Sequence, residues 1–215
     1  MSRPALPLFL RLDGRPCLVV GGGTIAAEKS RRLLESGARV TAVATRFDGG
    51  MESLAREGGL RLVRRPFESG DVQGHTLVVA ATDNLKVQLE VSEAARASGV
   101  LCNVVDVPEL CDVTFGAILR RGDLQVAVST GGRFPLLASR LRDRIGTRLH
   151  PAAGEGLEAL AGVRDEVRRT AAGDIPLLRR VLGGLVTQEL IDLIERGDLE
   201  GLRGKIEAWN SSPTR

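Results

Sequence analysis

The chain of 215 residues is 43% hydrophobic and 27% charged, with a formal net charge of +3, and this apolar content is sufficient for one large globular domain or two modest ones. It contains neither an apolar stretch long enough to cross a bilayer nor the pattern of a secretory signal, so we expect a cytoplasmic protein that does not bind membranes. Aromatic residues make up only 3% and tyrosine is absent, which leaves few side chains for base stacking and argues against a nucleic-acid partner.

Strand and helix signals alternate in the first half of the chain. The predicted elements are a strand at 15–20, a helix at 24–36, a strand at 40–44, a helix at 51–57, strands at 60–63 and 75–81, a helix at 84–98 and a strand at 101–105. Such alternation is typical of a mostly parallel sheet with helices on both faces and right-handed crossovers. We therefore predict a Rossmann-like α/β domain over residues 1–115.

The pattern changes after Pro108. Strands are predicted at 114–120 and 125–129, joined by a hairpin turn, and a helix at 136–145 has Pro135 in its first turn. Beyond His150 only helices are predicted, at 155–170, 176–183, 187–196 and 199–209. We predict a short strand-helix segment at 116–148 and an all-helical domain at 149–215. A hairpin with one helix cannot bury a core alone, so we expect the segment to form the interface of a homodimer.

A glycine turn follows the first strand. Residues 17–27 read CLVVGGGTIAA, in which Gly21, Gly23 and Ala26 have the spacing G-x-G-x-x-A. In dinucleotide-binding folds the first glycine permits a tight turn, the second lets the backbone approach a pyrophosphate, and the third small residue lets the helix pack closely. Amides at the helix N-terminus then face the phosphates. Because a strand precedes and a helix follows, we predict a dinucleotide site at Gly21, Gly22 and Gly23 rather than a plain turn.

The second strand ends without the acidic residue that commonly binds the adenosine ribose. The strand ends in Ala44, Thr45 and Arg46, and the nearest carboxylate that follows is Asp48. Thr45 is suited to bond a ribose hydroxyl, whereas Arg46 is suited either to pair with a 2'-phosphate, which would favour NADP, or to stack on adenine. The residues alone leave NAD and NADP open.

Polar residues also follow the two later buried strands, where ligands of open α/β sheets bind. Thr82 and Asp83 should border the cofactor, with Asp83 equally suited to cap the next helix. Asp106 lies between Val105 and a rigid Val107-Pro108 turn, so we expect a partly buried carboxylate that serves either acid-base chemistry or turn capping.

Arginines concentrate in the short region between residues 120 and 148. They are Arg120, Arg121, Arg133, Arg140, Arg142, Arg144 and Arg148. Together with the amides and hydroxyls of Ser129, Thr130 and Gly131, this segment is suited to a polyanionic ligand, although a solvated helix face balanced by Asp123 and Asp143 explains the arginines equally well. Cys17, Cys102 and Cys111 are widely separated and no His-rich tract accompanies them, so we predict structural thiols and no bound metal.

Five stretches, taken together, resemble the precorrin-2 dehydrogenase and sirohydrochlorin ferrochelatase family, the siroheme synthase module without its methyltransferase. They are Pro7-Leu8-Phe9, Val20 to Gly23 with Ala26 and Lys29, Ala80 to Asp83, Cys102 to Asp106, and Val126 to Gly132 before Pro135. The chain departs from the family pattern at Gln88, Gly116 and Phe134, where asparagine, proline and serine are common.

The resemblance implies NAD-dependent oxidation of precorrin-2 to sirohydrochlorin, insertion of ferrous iron as a further step, and a homodimer. It implies cofactor contacts at Thr24, Ile25, Thr45 and Arg46 and favours NAD over NADP. Asp106 matches the aspartate implicated in both reactions. Asn103, Ser129, Thr130, Gly131 and Arg133 are the candidate substrate contacts. The competing hypotheses are another small NAD(P)-dependent reductase and a dinucleotide-sensing module that catalyses nothing.

Overall fold

The computed structural model describes residues 5–172 and 174–211. They form two compact units, of which the first ends at Phe115 and the second begins at Gly116. The further division of the second unit at residue 148 stays a prediction.

The first unit is a parallel sheet with helices on both faces, which confirms the Rossmann-like fold class. Its elements are β1 (Pro16–Val20), α1 (Thr24–Leu34), β2 (Arg39–Ala44), α2 (Gly49–Arg56), β3 (Leu60–Arg64), β4 (Leu77–Ala80), α3 (Leu85–Ala97) and β5 (Leu101–Val104). The five strands lie in the order β3-β2-β1-β4-β5, and every neighbouring pair is parallel. Cys17 of β1, for example, pairs with Val40 on one side and Leu77 on the other.

The central strands are apolar along their whole length because both faces of the sheet are covered. Alternate residues of β1 contribute to two hydrophobic clusters. Cys17 and Val19 belong to the cluster that contains residues of α1 and α2, whereas Leu18 and Val20 belong to the cluster that contains residues of α3. This double burial fixes the strand register and thereby the loops at the carboxyl edge.

The direction of strand addition reverses between β1 and β4. The chain adds β2 and β3 on one side of β1 and then returns to add β4 and β5 on the other. In open α/β sheets, ligands bind outside the carboxyl ends of the strands at such a switch point. The loops that follow β1 and β4 therefore form the expected ligand crevice.

Two short 3₁₀ turns were not predicted, at Ser69–Val72 and Pro108–Leu110. The first is held by reciprocal capping between Glu68 and Asp71. The Asp71 carboxylate also accepts two hydrogen bonds from the Arg65 guanidinium. These bonds are the largest cause of the lowered pKa of Asp71. Side-chain pairing of this kind is not periodic, so hydrophobic patterning does not reveal it.

The second unit joins a hairpin to a set of helices. Its elements are β6 (Ala117–Arg121), β7 (Leu124–Val128), α4 (Pro135–Gly146), α5 (Ala153–Thr170), α6 (Ile175–Leu185), α7 (Gln188–Arg196) and α8 (Leu199–Asn210). The hairpin is antiparallel, and α4 packs against both of its strands. Helices α5 to α8 enclose a core that includes Val163, Leu190 and Leu202. In the part of the chain that the structure describes, no helix is both long enough and apolar enough to span a membrane.

Candidate functional site

The glycine turn after β1 lies against the ends of two neighbouring strands. Gly21 has a φ of 137°, and a Cβ there would lie 2.0 Å from the carbonyl oxygen of Ala81. A Cβ at Gly22 would lie 1.9 Å from the carbonyl oxygen of Arg46. Both distances are far shorter than any van der Waals contact, so glycine is required at these two positions for the turn to fit between the loops that follow β4 and β2.

Gly23 is different, because nothing in the protein crowds it. A Cβ there would meet no atom within 4 Å. Gly23 is the N-cap of α1, no side chain caps this helix, and its first turn contains no acidic residue. The neighbouring helices α2 and α3, in contrast, are capped by Asp48 and Asn84. The open space and the uncapped amides of α1 fit the pyrophosphate of a dinucleotide, which needs close backbone approach and N–H donors.

The loop after β2 brings an aspartate to this turn. Thr45 and Arg46 follow the strand and are exposed, as a cofactor contact requires. The backbone N–H of Asp48 donates to Gly22 O at 2.8 Å, and Asp48 Oδ2 accepts a 3.4 Å hydrogen bond from the Thr24 hydroxyl. From the sequence, Asp48 is close to the end of β2 but has no predicted role. The structure places its carboxylate beside the glycine turn.

The loop after β4 carries Thr82 and Asp83. The N-cap of α3 is Asn84, whose Oδ1 accepts from the N–H groups of Lys86 and Val87. The capping alternative for Asp83 is therefore wrong, and its exposed carboxylate makes none of the cap bonds. The N-cap residue directly precedes the first helical residue. Because α3 begins at Leu85, this residue is Asn84, and Asp83 lies one position too early.

Asp106 follows β5 on the same edge of the sheet. Its side chain is exposed, so the expectation of a partly buried carboxylate is wrong. Its φ of 62° is left-handed, a conformation that aspartate adopts more readily than most residues. Flanking Val105 and Val107 are partly buried, which explains the error: the apolar neighbours face the core while the turn directs Asp106 to solvent.

Cys111 holds this turn from within the unit. Its Sγ accepts from Val104 N at 3.2 Å and lies 3.1 Å from Val104 O and 3.4 Å from Val107 O, either of which the thiol can donate to. Burial raises the pKa of the Cys111 thiol. Burial also raises the pKa of Cys17 to about 11 and that of Cys102 to about 12. All three cysteines are free thiols, and these shifts keep them protonated at neutral pH.

The five candidate substrate contacts lie in two places. Asn103 is 7% exposed, and its amide donates to Val113 O at 2.8 Å. Ser129, Thr130, Gly131 and Arg133 lie in the second unit, in the loop before α4. There the Ser129 hydroxyl accepts from Gly131 N, and the Thr130 hydroxyl accepts from Phe134 N. Their contacts with a substrate stay a prediction.

A separate cavity of about 290 Å³ lies on one face of the sheet. It is lined by Leu18, Thr41, Val43, Arg61, Val63, Arg65, Asp71 and His75. None of these residues belongs to the predicted site. Within residues 5–172 and 174–211, no group of three or more His, Cys, Asp or Glu side chains is placed to hold a metal ion.

Comparison with known families gives two adjoining matches. The family described as "Putative NAD(P)-binding" matches residues 8–117. The family described as "Sirohaem biosynthesis protein central" matches residues 121–148. The first match contains the glycine turn and Asp106, and the second contains the loop at Ser129.

Curated relatives are named siroheme synthase. Those of Methylococcus capsulatus and Pseudomonas entomophila are 44% and 45% identical over 76% of this chain, and that of Pseudomonas aeruginosa is 42% identical over 81%. These alignments cover 35% to 37% of each relative, so the chain spans about a third of the length of the curated relatives it matches. A solved structure titled "SirC, precorrin-2 dehydrogenase" superposes with a TM-score of 0.76 at 24% identity, over 97% of this chain and 100% of that one, which establishes a shared fold.

Proposed function

Since the chain belongs to the NAD(P)-binding family and continues into the sirohaem biosynthesis central segment, we propose that it is an NAD-dependent precorrin-2 dehydrogenase that forms sirohydrochlorin in siroheme biosynthesis. The observation that carries this proposal is the grouping of two features at one edge of the sheet. These are the uncapped N-terminus of α1 beside Gly23 and the exposed Asp106 after β5. The first is suited to bind a dinucleotide and the second to move a proton. The names of the relatives add the substrate.

The residues of the glycine turn would hold the cofactor. Backbone amides at Gly23, Thr24 and Ile25 would donate to the pyrophosphate, and Thr45 and Arg46 would contact the adenosine end. Bound NAD would accept a hydride from a ring carbon of precorrin-2. Asp48, which accepts a hydrogen bond from the Thr24 hydroxyl, would hold the loop after β2 against the cofactor site.

Asp106 would take the proton that the macrocycle loses. Oxidation to sirohydrochlorin removes one hydride and one proton from the tetrapyrrole. The Asp106 carboxylate would accept the proton and, being exposed, release it to water. Positioned general bases of this kind typically contribute about 10²- to 10⁴-fold to a rate.

Chelation is the second candidate activity. The observation that favours it is again the exposure of Asp106, since a carboxylate open to solvent is suited to accept pyrrole protons as ferrous iron enters the ring. Incubation with sirohydrochlorin and ferrous or cobalt ion, followed by the loss of the metal-free spectrum, tests it. A spectrum that does not change would contradict this activity without affecting the dehydrogenase proposal.

The arginine-rich segment supports a polycarboxylate substrate such as precorrin-2. Arg133, Arg140, Arg144 and Arg148 are exposed and are therefore available for charge-assisted hydrogen bonds. Arg142, in contrast, pairs with Asp143. The two other hypotheses, a different reductase and a sensing module, require no such array. The free thiols of the chain suit the reducing cytoplasm, where we place the protein.

We further propose that the strand-helix segment forms a homodimer. Four large apolar side chains at the start and along the outside of α4 are exposed. They are Phe134, Leu136, Leu137 and Leu141, with exposed fractions of 58%, 64%, 47% and 42%. An exposed apolar group of this size on a helix is typical of an interface. A second copy of the chain would cover it.

Replacing Leu137 and Leu141 together by glutamate is expected to convert the dimer into a monomer, because two charges would be placed in an apolar interface. Light scattering after size-exclusion chromatography at micromolar concentration measures the mass. Ile191→Glu, at an exposed apolar position of α7, is the matched control and should stay dimeric. A wild-type protein that is monomeric under these conditions would contradict the proposal.

A further inference from the structure

One buried side chain connects two loops of the candidate site. Gln88 lies on α3 and is 7% exposed. Its amide nitrogen donates to Thr82 O at 2.7 Å and to Val105 O at 3.2 Å. Thr82 follows β4 and Val105 follows β5. A single amide group therefore bridges the carboxyl ends of neighbouring strands, and both of its N–H groups are used.

Packing alone does not require a glutamine at this position. The other buried positions of α3 are Val91, Ser92 and Ala95, so a smaller or an apolar side chain would also fit this face. Burial of an amide costs free energy unless its polar atoms are bonded. The hydrogen bonds of Gln88 offset this cost, and what they add is a fixed spacing between the two loops.

Each bridged carbonyl lies next to a residue of the site. Thr82 directly follows Ala81, whose carbonyl oxygen would be 2.0 Å from a Cβ at Gly21, so the first loop is packed on the glycine turn. Val105 directly precedes Asp106, whose φ of 62° is uncommon for a residue other than glycine. Such a conformation persists only where its surroundings determine it.

We propose that Gln88 is a positioning residue that sets the Asp106 carboxylate relative to the dinucleotide. The role rests on the proposed dehydrogenase function. Gln88 holds the backbone on the N-terminal side of Asp106, and Cys111 holds it on both sides through Val104 and Val107. Val105 N also donates to Ala80 O at 3.0 Å, so the backbone joins the ends of β5 and β4, and Gln88 adds a side-chain link from Val105 to the Thr82 loop. Loss of its donors leaves the turn attached to the fold by the backbone and by Cys111 but loosens it against the loop that packs on the glycine turn.

The test is Gln88→Met, which keeps the length of the side chain and removes both donors. The kcat for precorrin-2 oxidation is expected to fall about 10- to 100-fold, as a displacement of about 1 Å in a reacting group can cost. The dissociation constant for NAD, measured by calorimetry, should stay within about twofold, because the glycine turn is intact. Hydrogen-deuterium exchange should rise in peptides covering both 80–84 and 104–107.

Ser92→Ala is the matched control, since Ser92 is also buried on α3 and donates to Leu110 O at 3.3 Å. It should leave kcat and the exchange of both loops unchanged. The positioning role is overturned if Gln88→Met lowers the melting temperature but keeps kcat within twofold of wild type. It is also overturned if hydrogen-deuterium exchange rises in only one of the two loops or in neither. If the wild-type protein binds NAD but does not oxidise precorrin-2, the proposed function is overturned instead. The role of Gln88 in that function then falls with it, whatever the hydrogen-deuterium exchange shows.

Discussion

Asp106→Asn is expected to lower the kcat of precorrin-2 oxidation by about 10²- to 10⁴-fold, the contribution of a positioned general base. The amide has the shape of the carboxylate but cannot accept the proton. Asparagine also tolerates the left-handed φ of 62° found at this position, so the turn should be retained. Steady-state formation of NADH measures the rate, and titration with NAD should give an unchanged dissociation constant.

Glu109→Gln provides the matched control for this variant. Glu109 is an exposed carboxylate three residues further along the same connection, and nothing places it in the site. Its neutralisation should leave turnover within about twofold of wild type, because Glu109 is exposed and has no role in the candidate site. Wild-type turnover in Asp106→Asn would remove Asp106 from the mechanism.

Gly23→Asp is expected to weaken NAD binding by more than tenfold, about 1.4 kcal/mol or more, without unfolding the protein. A Cβ at Gly23 meets nothing within 4 Å, so the side chain fits. Aspartate at an N-cap bonds the first-turn amides and would occupy the donors that the pyrophosphate needs. The melting temperature should therefore stay the same or rise while affinity falls. Calorimetric titration and thermal unfolding measure the two effects separately.

Gly21→Ala supplies the contrast to Gly23→Asp. Its methyl group would lie 2.0 Å from Ala81 O in a backbone with φ of 137°, so the turn must move and the melting temperature should fall. Opposite signs of the two stability changes would distinguish the glycine that the fold needs from the glycine that the ligand needs. Wild-type NAD affinity in Gly23→Asp would contradict the cofactor site.

The hydrophobic pattern predicts most elements of the fold because burial imposes the period of each one. The continuous apolar run at 75–81, for instance, contains β4, which is buried on both faces at Leu77–Ala80. The predicted strand is longer because it also takes in His75 and Thr76 before β4 and Ala81 after it. The parallel arrangement follows from the alternation of strands and helices. The 3₁₀ turn at Ser69–Val72 depends on side-chain bonds of Asp71, which have no such period.

The position of the candidate site is predictable, but its internal connections are not. The carboxyl ends of parallel strands meet at one edge, which places Gly21, Thr82 and Asp106 together from the sequence. Which side chain faces solvent depends on single backbone angles, as at Asp106. The contact of Asp48 with Thr24 spans 24 residues, and that of Gln88 with Val105 spans 17. The spacing of residues in the sequence carries no signal for either contact.

We expect this chain to oxidise precorrin-2 with NAD. The most direct measurement incubates the purified protein anaerobically with both compounds and follows NADH absorbance together with the visible spectrum of sirohydrochlorin. We predict that NADH and sirohydrochlorin appear in equal amounts, that NADP supports a slower reaction, and that Asp106→Asn slows the formation of both products by about 10²-fold or more. If the protein binds NAD but neither NADH nor sirohydrochlorin forms, the dehydrogenase assignment is contradicted and the dinucleotide serves another purpose.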